Sequence, residues 1–253
     1  MLRYLPCLFF TFLACNNSYA QEEIPLKDYK PNIIVNRNIQ LSLGFIPRNA
    51  KWQGLYCDHK SCEIKNVKLK IGKNFVDYLY EEKVPLDTIK VKGEPIALFP
   101  FEKFKTGKYS LFYKLESNNA FDSTYPSNKQ YYDLENEKKW SMPWSNQPLT
   151  LFWTKENRSD IERNDYRNYQ ITDGKKNQSL FKIDGLSKYE GKTTPIIHLV
   201  SDLDNDNKLD MILEIPDDNC GFDYRLYLSS EAKGDEILHE SLRFTGTQDA
   251  CGC

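Results

Sequence analysis

The sequence lacks the short motifs that mark the common catalytic sites. It contains no G-x-S-x-G, no H-E-x-x-H, no phosphate-binding loop and no dinucleotide fingerprint. Histidine, the most frequent general base, occurs only three times. Acidic neighbours such as Glu81 and Glu82 act in glycoside hydrolysis only at a defined separation in space, which a sequence does not give. We therefore assign no catalytic residue, and an enzyme is the less favoured class.

Long hydrophobic runs are also missing. The apolar stretch at residues 5–14 has about 10 residues, whereas a membrane-spanning helix needs about 20, so no membrane span is expected. Arg3 precedes this stretch and small residues flank Tyr19, a pattern typical of a secretory signal peptide over residues 1–20. The pattern predicts an exported protein, periplasmic or extracellular. The alternative is lipidation of Cys15, which would make the protein a membrane-anchored lipoprotein.

A basic stripe, the usual mark of a nucleic-acid partner, is not evident. The chain has 34 Lys and Arg against 36 Asp and Glu, with both signs mixed along its length. Nucleic-acid-binding domains usually concentrate positive charge on one face. We expect no nucleic-acid partner, and a protein partner stays open.

The chain has seven cysteines, and export makes disulfides their first interpretation. Beyond residue 20 the cysteines are Cys57, Cys62, Cys220, Cys251 and Cys253. Cys57 and Cys62 bracket a four-residue polar tip between two predicted strands, which favours a hairpin-closing disulfide. Cys251 or Cys253 can pair with Cys220, and one thiol is then left over. A zinc site formed by these last three cysteines is the alternative, although no CxxC pair supports it.

Alternating apolar and polar residues predict a mainly β fold. Tyr and Phe, 16 and 14 in number, favour strands over helices. Short apolar runs separated by proline and glycine are typical of β-sandwiches. We predict two consecutive small sandwich-like β domains, at residues 21–116 and 131–253. Residues 117–130, rich in Asn, Ser and Asp, are predicted as a linker or long loop.

Three local patterns give more specific predictions. The apolar phase shifts between Ile64 and Val67, which predicts a β-bulge near residues 65–66. The highly charged residues 155–176 predict an exposed loop or a short helix. The tryptophans Trp140, Trp144 and Trp153 predict a packed aromatic core, with a sugar-stacking platform as the alternative.

Residues 201–210, Ser-Asp-Leu-Asp-Asn-Asp-Asn-Lys-Leu-Asp, carry the most chemical information. Apolar runs at 196–200 and 211–213 flank them and predict two buried strands. Carboxylates at alternate positions of a tight turn point toward one centre, and calcium takes about 6–8 oxygen ligands. The predicted metal ligands are Asp202, Asp204, Asp206, the backbone carbonyl of Lys208, and Asp210. The alternative is a solvated acidic turn without a metal.

The three histidines form no evident catalytic pair. His59 lies in the tip between Cys57 and Cys62 and is expected to be exposed in a turn. His198 alternates with apolar neighbours, so it is expected on a core or sheet surface, with a supporting role beside the calcium loop as the alternative. His239 is expected to be incidental within the last strand.

The acidic stretch resembles known calcium loops. The EF-hand pattern D-x-[DN]-x-[DN]-G-x5-E is met in part: Asn207 replaces the glycine and can take a left-handed backbone, but Leu213 replaces the bidentate Glu. The loop is more similar to the D-x-D-x-[DN]-G-x-x-D loop of the FG-GAP and integrin-propeller type, which lies between β-strands. This resemblance implies a structural calcium ion. Those families repeat the motif in every blade, and this chain has it once, so a full propeller is not expected.

A broader resemblance covers several segments. Residues 52–56 (Trp-Gln-Gly-Leu-Tyr), the single Asp-rich loop, residues 226–234 and the Cys-Gly-Cys end resemble a group of uncharacterised secreted bacterial proteins. That resemblance implies a shared fold and no activity. We expect an exported, non-enzymatic protein whose calcium loop stabilises a binding or scaffold domain in the cell envelope. The alternatives are a periplasmic inhibitor or immunity protein against a toxin or hydrolase, and a secreted hydrolase with an unrecognised site.

Overall fold

The computed structural model describes residues 34–35, 41–42, 46, 48–58, 60–77, 83–100, 102–114, 139–143, 148–156, 166–184, 195–216 and 221–247. These residues form antiparallel strands and contain no helix, which confirms the mainly β prediction. Within them no helix is long and apolar enough to cross a membrane. Several predicted features lie outside the described residues: the signal segment 1–20, the linker 117–130, Glu81, Glu82, His59, Trp144, Cys220, Cys251 and Cys253.

The strands follow one another along the described residues. They are β1 (Ile34–Val35), β2 (Leu41–Ser42), β3 (Trp52–Cys57), β4 (Ser61–Val67), β5 (Lys70–Asp77), β6 (Lys83–Lys90), β7 (Ala97–Phe99), β8 (Gly107–Lys114), β9 (Lys139–Met142), β10 (Leu149–Glu156), β11 (Tyr166–Thr172), β12 (Asn177–Asp184), β13 (Ile196–Ser201), β14 (Asp210–Pro216), β15 (Gly221–Leu228) and β16 (His239–Thr247). They form three sheets.

The largest sheet contains strands from both predicted halves of the chain. Its order is β1-β7-β3-β4-β8-β13-β14-β15-β16, and it curls into a half-barrel that does not close as a propeller. The junction is the antiparallel pair β8–β13, in which Tyr113 faces Val200. A four-stranded sheet has the order β12-β11-β10-β9, and a three-stranded sheet has the order β2-β6-β5.

Two hydrophobic cores form on opposite faces of the large sheet. The first, which we call the curled-sheet core, includes Leu55 from β3 and Leu226 from β15. The second, the sandwich core, joins the four-stranded sheet to β13, β14 and β15 and includes Leu151 and Met211. The two predicted halves therefore share one sheet and one core, while the proposed boundary at 117–130 stays a prediction.

Strand β14 is buried on both faces. Ile212 packs in the curled-sheet core, whereas Met211 and Leu213 pack in the sandwich core. All three side chains are fully buried. A strand between two packed layers reads as a continuous apolar run rather than an alternating one, which accounts for the unbroken sequence Met-Ile-Leu immediately after the acidic stretch.

The predicted bulge near residues 65–66 is wrong. Strand β4 pairs with β3 without a register break, from Cys57 opposite Cys62 to Trp52 opposite Val67. The chain then leaves this sheet, and Lys70 begins β5, which pairs with β6 in the three-stranded sheet. The apolar phase therefore changes without an extra residue in the strand, since Val67 is still paired with Trp52 in the large sheet.

The loop or helix predicted for residues 155–176 is wrong over residues 166–172, which form β11, while residues 157–165 lie outside the described residues. Tyr169 and Ile171 from this strand are fully buried in the sandwich core. Trp140 is buried there as well, and Trp153 packs against its edge with the guanidinium carbon of Arg167 4.5 Å from its ring centre. Trp140 and Trp153 thus belong to a packed core.

The disulfide predicted between Cys57 and Cys62 is confirmed. The two cysteines face each other at the end of the β3–β4 hairpin. Asp58 shapes the tip, since its Oδ1 accepts hydrogen bonds from the amides of Lys60 and Ser61, both at 2.7 Å. The bridge therefore closes a turn that the backbone hydrogen bonds already favour.

Candidate metal site

The acidic stretch forms the turn between β13 and β14. These strands are antiparallel neighbours, and Ser201 at the end of one faces Asp210 at the start of the other. The turn needs left-handed backbone at Asn205 (φ 62°) and Asn207 (φ 63°). Asparagine adopts this conformation more readily than most residues with a Cβ, so Asn207 replaces the expected glycine as the sequence predicts.

Three aspartates converge within this turn. One carboxylate oxygen from each of Asp202, Asp204 and Asp210 lies within 4.8 Å of the other two. Two oxygens bound to one calcium ion at about 2.3–2.6 Å are at most about 5 Å apart, so the three carboxylates fit one ion. Asp210 is completely buried, and Asp202 is 5% exposed.

Backbone amides hold these carboxylates in place. Asp202 accepts hydrogen bonds from the amides of Asp206 and Asn207, both at 3.0 Å. The Oδ2 of Asp210 accepts a hydrogen bond from the amide of Leu203 at 2.7 Å. The same carboxylates that converge thus also shape the turn, which limits their freedom to move apart.

Asp206 and Lys208, predicted as further ligands, are placed differently. The carboxylate of Asp206 accepts hydrogen bonds from the amide of Lys208 at 2.8 Å and from the hydroxyl of Ser229. It is not among the three converging groups. The ligand roles of Asp206 and of the Lys208 carbonyl stay predictions.

Ser229 is the principal residue that the sequence reasoning missed. Its amide and its hydroxyl lie 2.8 Å and 3.0 Å from Oδ1 of Asp210. The next residue, Ser230, donates its hydroxyl to Asp204. Strand β15 ends at Leu228 and pairs with β14 so that Tyr227 faces Met211. Ser229, the first residue after β15, therefore lies beside Asp210, the first residue of β14. Two serines directly after a strand were the available signal, but only the strand pairing brings them to the loop.

The site has more acceptors than donors. The single hydroxyl proton of Ser229 faces three carboxylate oxygens at 3.0–3.1 Å, two from Asp206 and one from Asp210. Burial raises the pKa of Asp210 to about 8, against the lowering effect of its hydrogen bonds. Burial also raises the pKa of Asp202. Across the described part of the chain, no lysine, arginine or histidine forms an ion pair with the three converging aspartates.

An open pocket of about 230 Å³ adjoins the loop. Lys208, Leu209 and Ser229 line one part of it, and Glu236 from the β15–β16 connection lines another. A metal site needs a path by which the ion can enter. This pocket brings solvent to Ser229 and so to the edge of the acidic cluster.

The described histidines lie away from the acidic cluster. Nε2 of His198 is 2.9 Å from Oε2 of Glu214, and its ring packs edge-on against Tyr224. This is the sheet-surface position predicted from the alternation, with contacts to Glu214 and Tyr224 rather than to the loop. Nδ1 of His239 is 3.0 Å from Oε2 of Glu236.

The metal-free protein is expected to lose stability as the pH rises from about 4 to about 8. The folded-state pKa of Asp210 is about 8, whereas an unfolded Asp has a pKa of about 3.9. Between these two pKa values the folded chain binds one proton more than the unfolded chain. The contribution of this proton to stability is complete below the unfolded pKa and is lost as the pH rises through the folded pKa. The raised pKa of Asp202 acts in the same direction.

Urea unfolding in a chelator across this pH range measures the effect. Asp210→Asn should flatten the pH dependence, because asparagine does not titrate. A metal-free wild type whose free energy of unfolding rises over the same range would contradict the expectation.

Comparisons with known proteins add no assignment: no family model matches the chain, and no curated protein or solved structure gives a significant match. Across the residues that the structure describes, the molecule is all strand with an open curled sheet, and a turn of this sheet carries an acidic cluster able to hold a metal ion.

Proposed function

We propose that residues 202–210 bind a structural calcium ion, and that the protein is an exported, non-enzymatic binding or scaffold protein of the cell envelope. The convergence of Asp202, Asp204 and Asp210, two of them buried, carries the proposal. The donors are all carboxylate oxygens, which suit a hard cation such as calcium better than zinc. The N-terminal signal pattern supports export into a compartment where calcium is available.

A structural role fits the position of the site better than a catalytic one. The ion would sit where the β13–β14 turn meets Ser229 and Ser230 of the β15–β16 connection. It would replace the repulsion among three carboxylates with attraction to one centre. If Asp206 and the Lys208 carbonyl complete the cage as the sequence predicts, no open position is left at which a substrate could be activated.

Isothermal titration calorimetry of calcium into chelator-treated protein tests the proposal. We expect one calcium ion per chain, with an affinity at least as high as the Kd of about 10⁻³ M found for weak extracellular calcium modules. Asp204→Asn should weaken binding at least about tenfold, because it removes one charged ligand from the cage.

Asp235→Asn provides a matched control. Asp235 is fully exposed, and its carboxylate lies 3.6 Å from the ammonium of Lys176 rather than in the loop. Its substitution should leave the calcium isotherm unchanged. Absence of calcium binding by the wild type, or equal binding by Asp204→Asn, would reject the calcium site.

A further inference from the structure

In two short segments at one end of the β5–β6 ladder, lysines alternate with apolar residues. Residues 68–71 read Lys-Leu-Lys-Ile, and residues 89–92 read Ile-Lys-Val-Lys. The apolar members pack against the curled-sheet core and are partly buried: Leu69, Ile71, Ile89 and Val91. The lysines are all exposed: Lys68, Lys70, Lys90 and Lys92. We call these four residues the lysine patch.

Strand register places like charges directly opposite one another in this patch. Lys70 faces Lys90 across the β5–β6 ladder. Such pairs bring Cβ atoms to about 4.5–5.5 Å, and like charges at this distance destabilise a sheet. Lys68 and Lys92 lie just beyond the ends of the two strands, two residues from this pair, and the alternation of exposed and partly buried residues continues through them. The fold thus brings four exposed lysines together at one end of the β5–β6 ladder.

In the part of the chain that the structure describes, none of these four lysines forms an ion pair, whereas the nearby Lys65 pairs with Glu63 at 3.2 Å. The sheet therefore keeps a repulsive arrangement that ordinary surface pairing would relieve. A partner that brings negative charge to these lysines would remove this repulsion.

Positive charge is also in excess in the part of the sequence that contains the patch. Residues 1–114 contain 18 Lys and Arg against 11 Asp and Glu, and residues 115–253 contain 16 against 25. The two signs are balanced over the full length, as the overall counts indicate, but they are not evenly distributed. The lysine patch lies in the basic part of the chain.

We propose that the lysine patch docks the protein onto the surface of an anionic phospholipid bilayer. Clusters of about 4–8 lysines or arginines bind anionic lipid surfaces. Its central pair, Lys70 and Lys90, lies on the sheet beside a second pair, Gly72 and Thr88, whose side chains are small. Lysine supplies a point charge on a flexible stem, which suits a laterally mobile array of head groups.

The composition of this patch disfavours nucleic acid as the occupant. Recognition of single strands relies on aromatic side chains on which bases stack. Bidentate reading of guanine or phosphate relies mainly on arginine. The four positions of the patch and the adjoining Gly72 and Thr88 supply neither group.

Vesicle co-sedimentation of the wild-type protein tests the proposal. The probes are phosphatidylcholine vesicles with and without phosphatidylglycerol, at low and at high salt, in calcium and in a chelator. We expect binding to the anionic vesicles alone, weakened by salt. Substituting all four patch lysines with glutamine should reduce the affinity at least about tenfold, since each lysine near such a surface contributes roughly a factor of five.

A second quadruple variant provides the matched control. Lys139, Lys155, Lys175 and Lys233 are exposed lysines of the acidic half, and their replacement by glutamine changes the net charge equally. This control should keep vesicle binding. The patch variant should fold and melt no lower than the wild type, because it removes a like-charge pair.

Four outcomes would overturn the proposal. They are equal binding to neutral vesicles, equal loss in both quadruple variants, unchanged binding by the patch variant, and binding to duplex DNA without binding to vesicles. Loss of binding in chelator while circular dichroism shows an intact fold would assign the contact to calcium bridging instead. The proposal does not depend on the calcium site, since the patch belongs to a different sheet.

Discussion

Calcium at 100 times its dissociation constant is expected to raise the midpoint of thermal unfolding of the wild-type protein by about 5–10 °C. A ligand at this concentration that binds only the folded state stabilises it by about 2.7 kcal/mol. For a chain of this size, each kcal/mol shifts the midpoint by about 2–4 °C. Asp210→Asn should abolish the increase, because it removes the charge of the most deeply buried member of the cluster.

The same variant separates metal binding from packing. In chelator at neutral pH, the pKa of about 8 keeps Asp210 largely protonated. Asparagine has nearly the shape of that neutral acid, but its single carbonyl oxygen can replace only one of the two oxygens that accept from the amides of Leu203 and Ser229. The metal-free form of Asp210→Asn should therefore be less stable than the metal-free wild type by about 1–3 kcal/mol, the cost of one unpaired buried amide, while its midpoint should not respond to calcium.

Differential scanning calorimetry with and without calcium measures both quantities. Asp235→Asn, in an exposed position, should respond to calcium as the wild type does. An unchanged wild-type midpoint in calcium, or a full calcium response in Asp210→Asn, would show that the cluster does not hold a stabilising ion.

Leu55→Ala and Leu226→Ala are each expected to lower the free energy of unfolding by about 2–5 kcal/mol, the usual cost of truncating a buried leucine. Both side chains are fully buried in the curled-sheet core, although they come from different predicted halves of the chain. Because the halves share this core, both substitutions should shift one and the same cooperative transition.

Urea unfolding followed by both tryptophan fluorescence and far-ultraviolet circular dichroism measures this coupling. Leu151→Ala, in the sandwich core, extends the comparison to the other face of the large sheet. The exposed substitution Lys175→Gln should change stability little. Two separate transitions, with Leu55→Ala moving one and Leu226→Ala moving the other, would instead establish two independent domains.

Local patterns predicted a useful part of this molecule. Short apolar runs predict β3, β8 and the strands around the acidic turn, and β14 needs no alternation because both of its faces are buried. The disulfide between Cys57 and Cys62 follows from a separation that a hairpin imposes. The convergence of Asp202, Asp204 and Asp210 follows from the geometry of a short turn.

Features that depend on pairing between distant segments were not accessible in this way. Ser229 reaches Asp210 only because β15 runs antiparallel to β14. The pairing of β8 with β13 leaves no trace in either strand alone. Strand β11 was not predicted because Tyr169 and Ile171 are the only buried residues in its described part and their immediate neighbours are polar, so the period of two covers few apolar residues. Asp206 occupies a ligand position in the sequence, yet its carboxylate turns to Ser229.

Strand β14 acts as a partition wall between two compartments of the protein. Ile212 packs on one face of this strand, Met211 and Leu213 pack on the other, and Asp210 is its first residue. An ion that fixes Asp210 would therefore set the alignment of both compartments from a single corner. Removing the ion would loosen both cores at once. A single turn would thus govern the order of two cores that β14 separates.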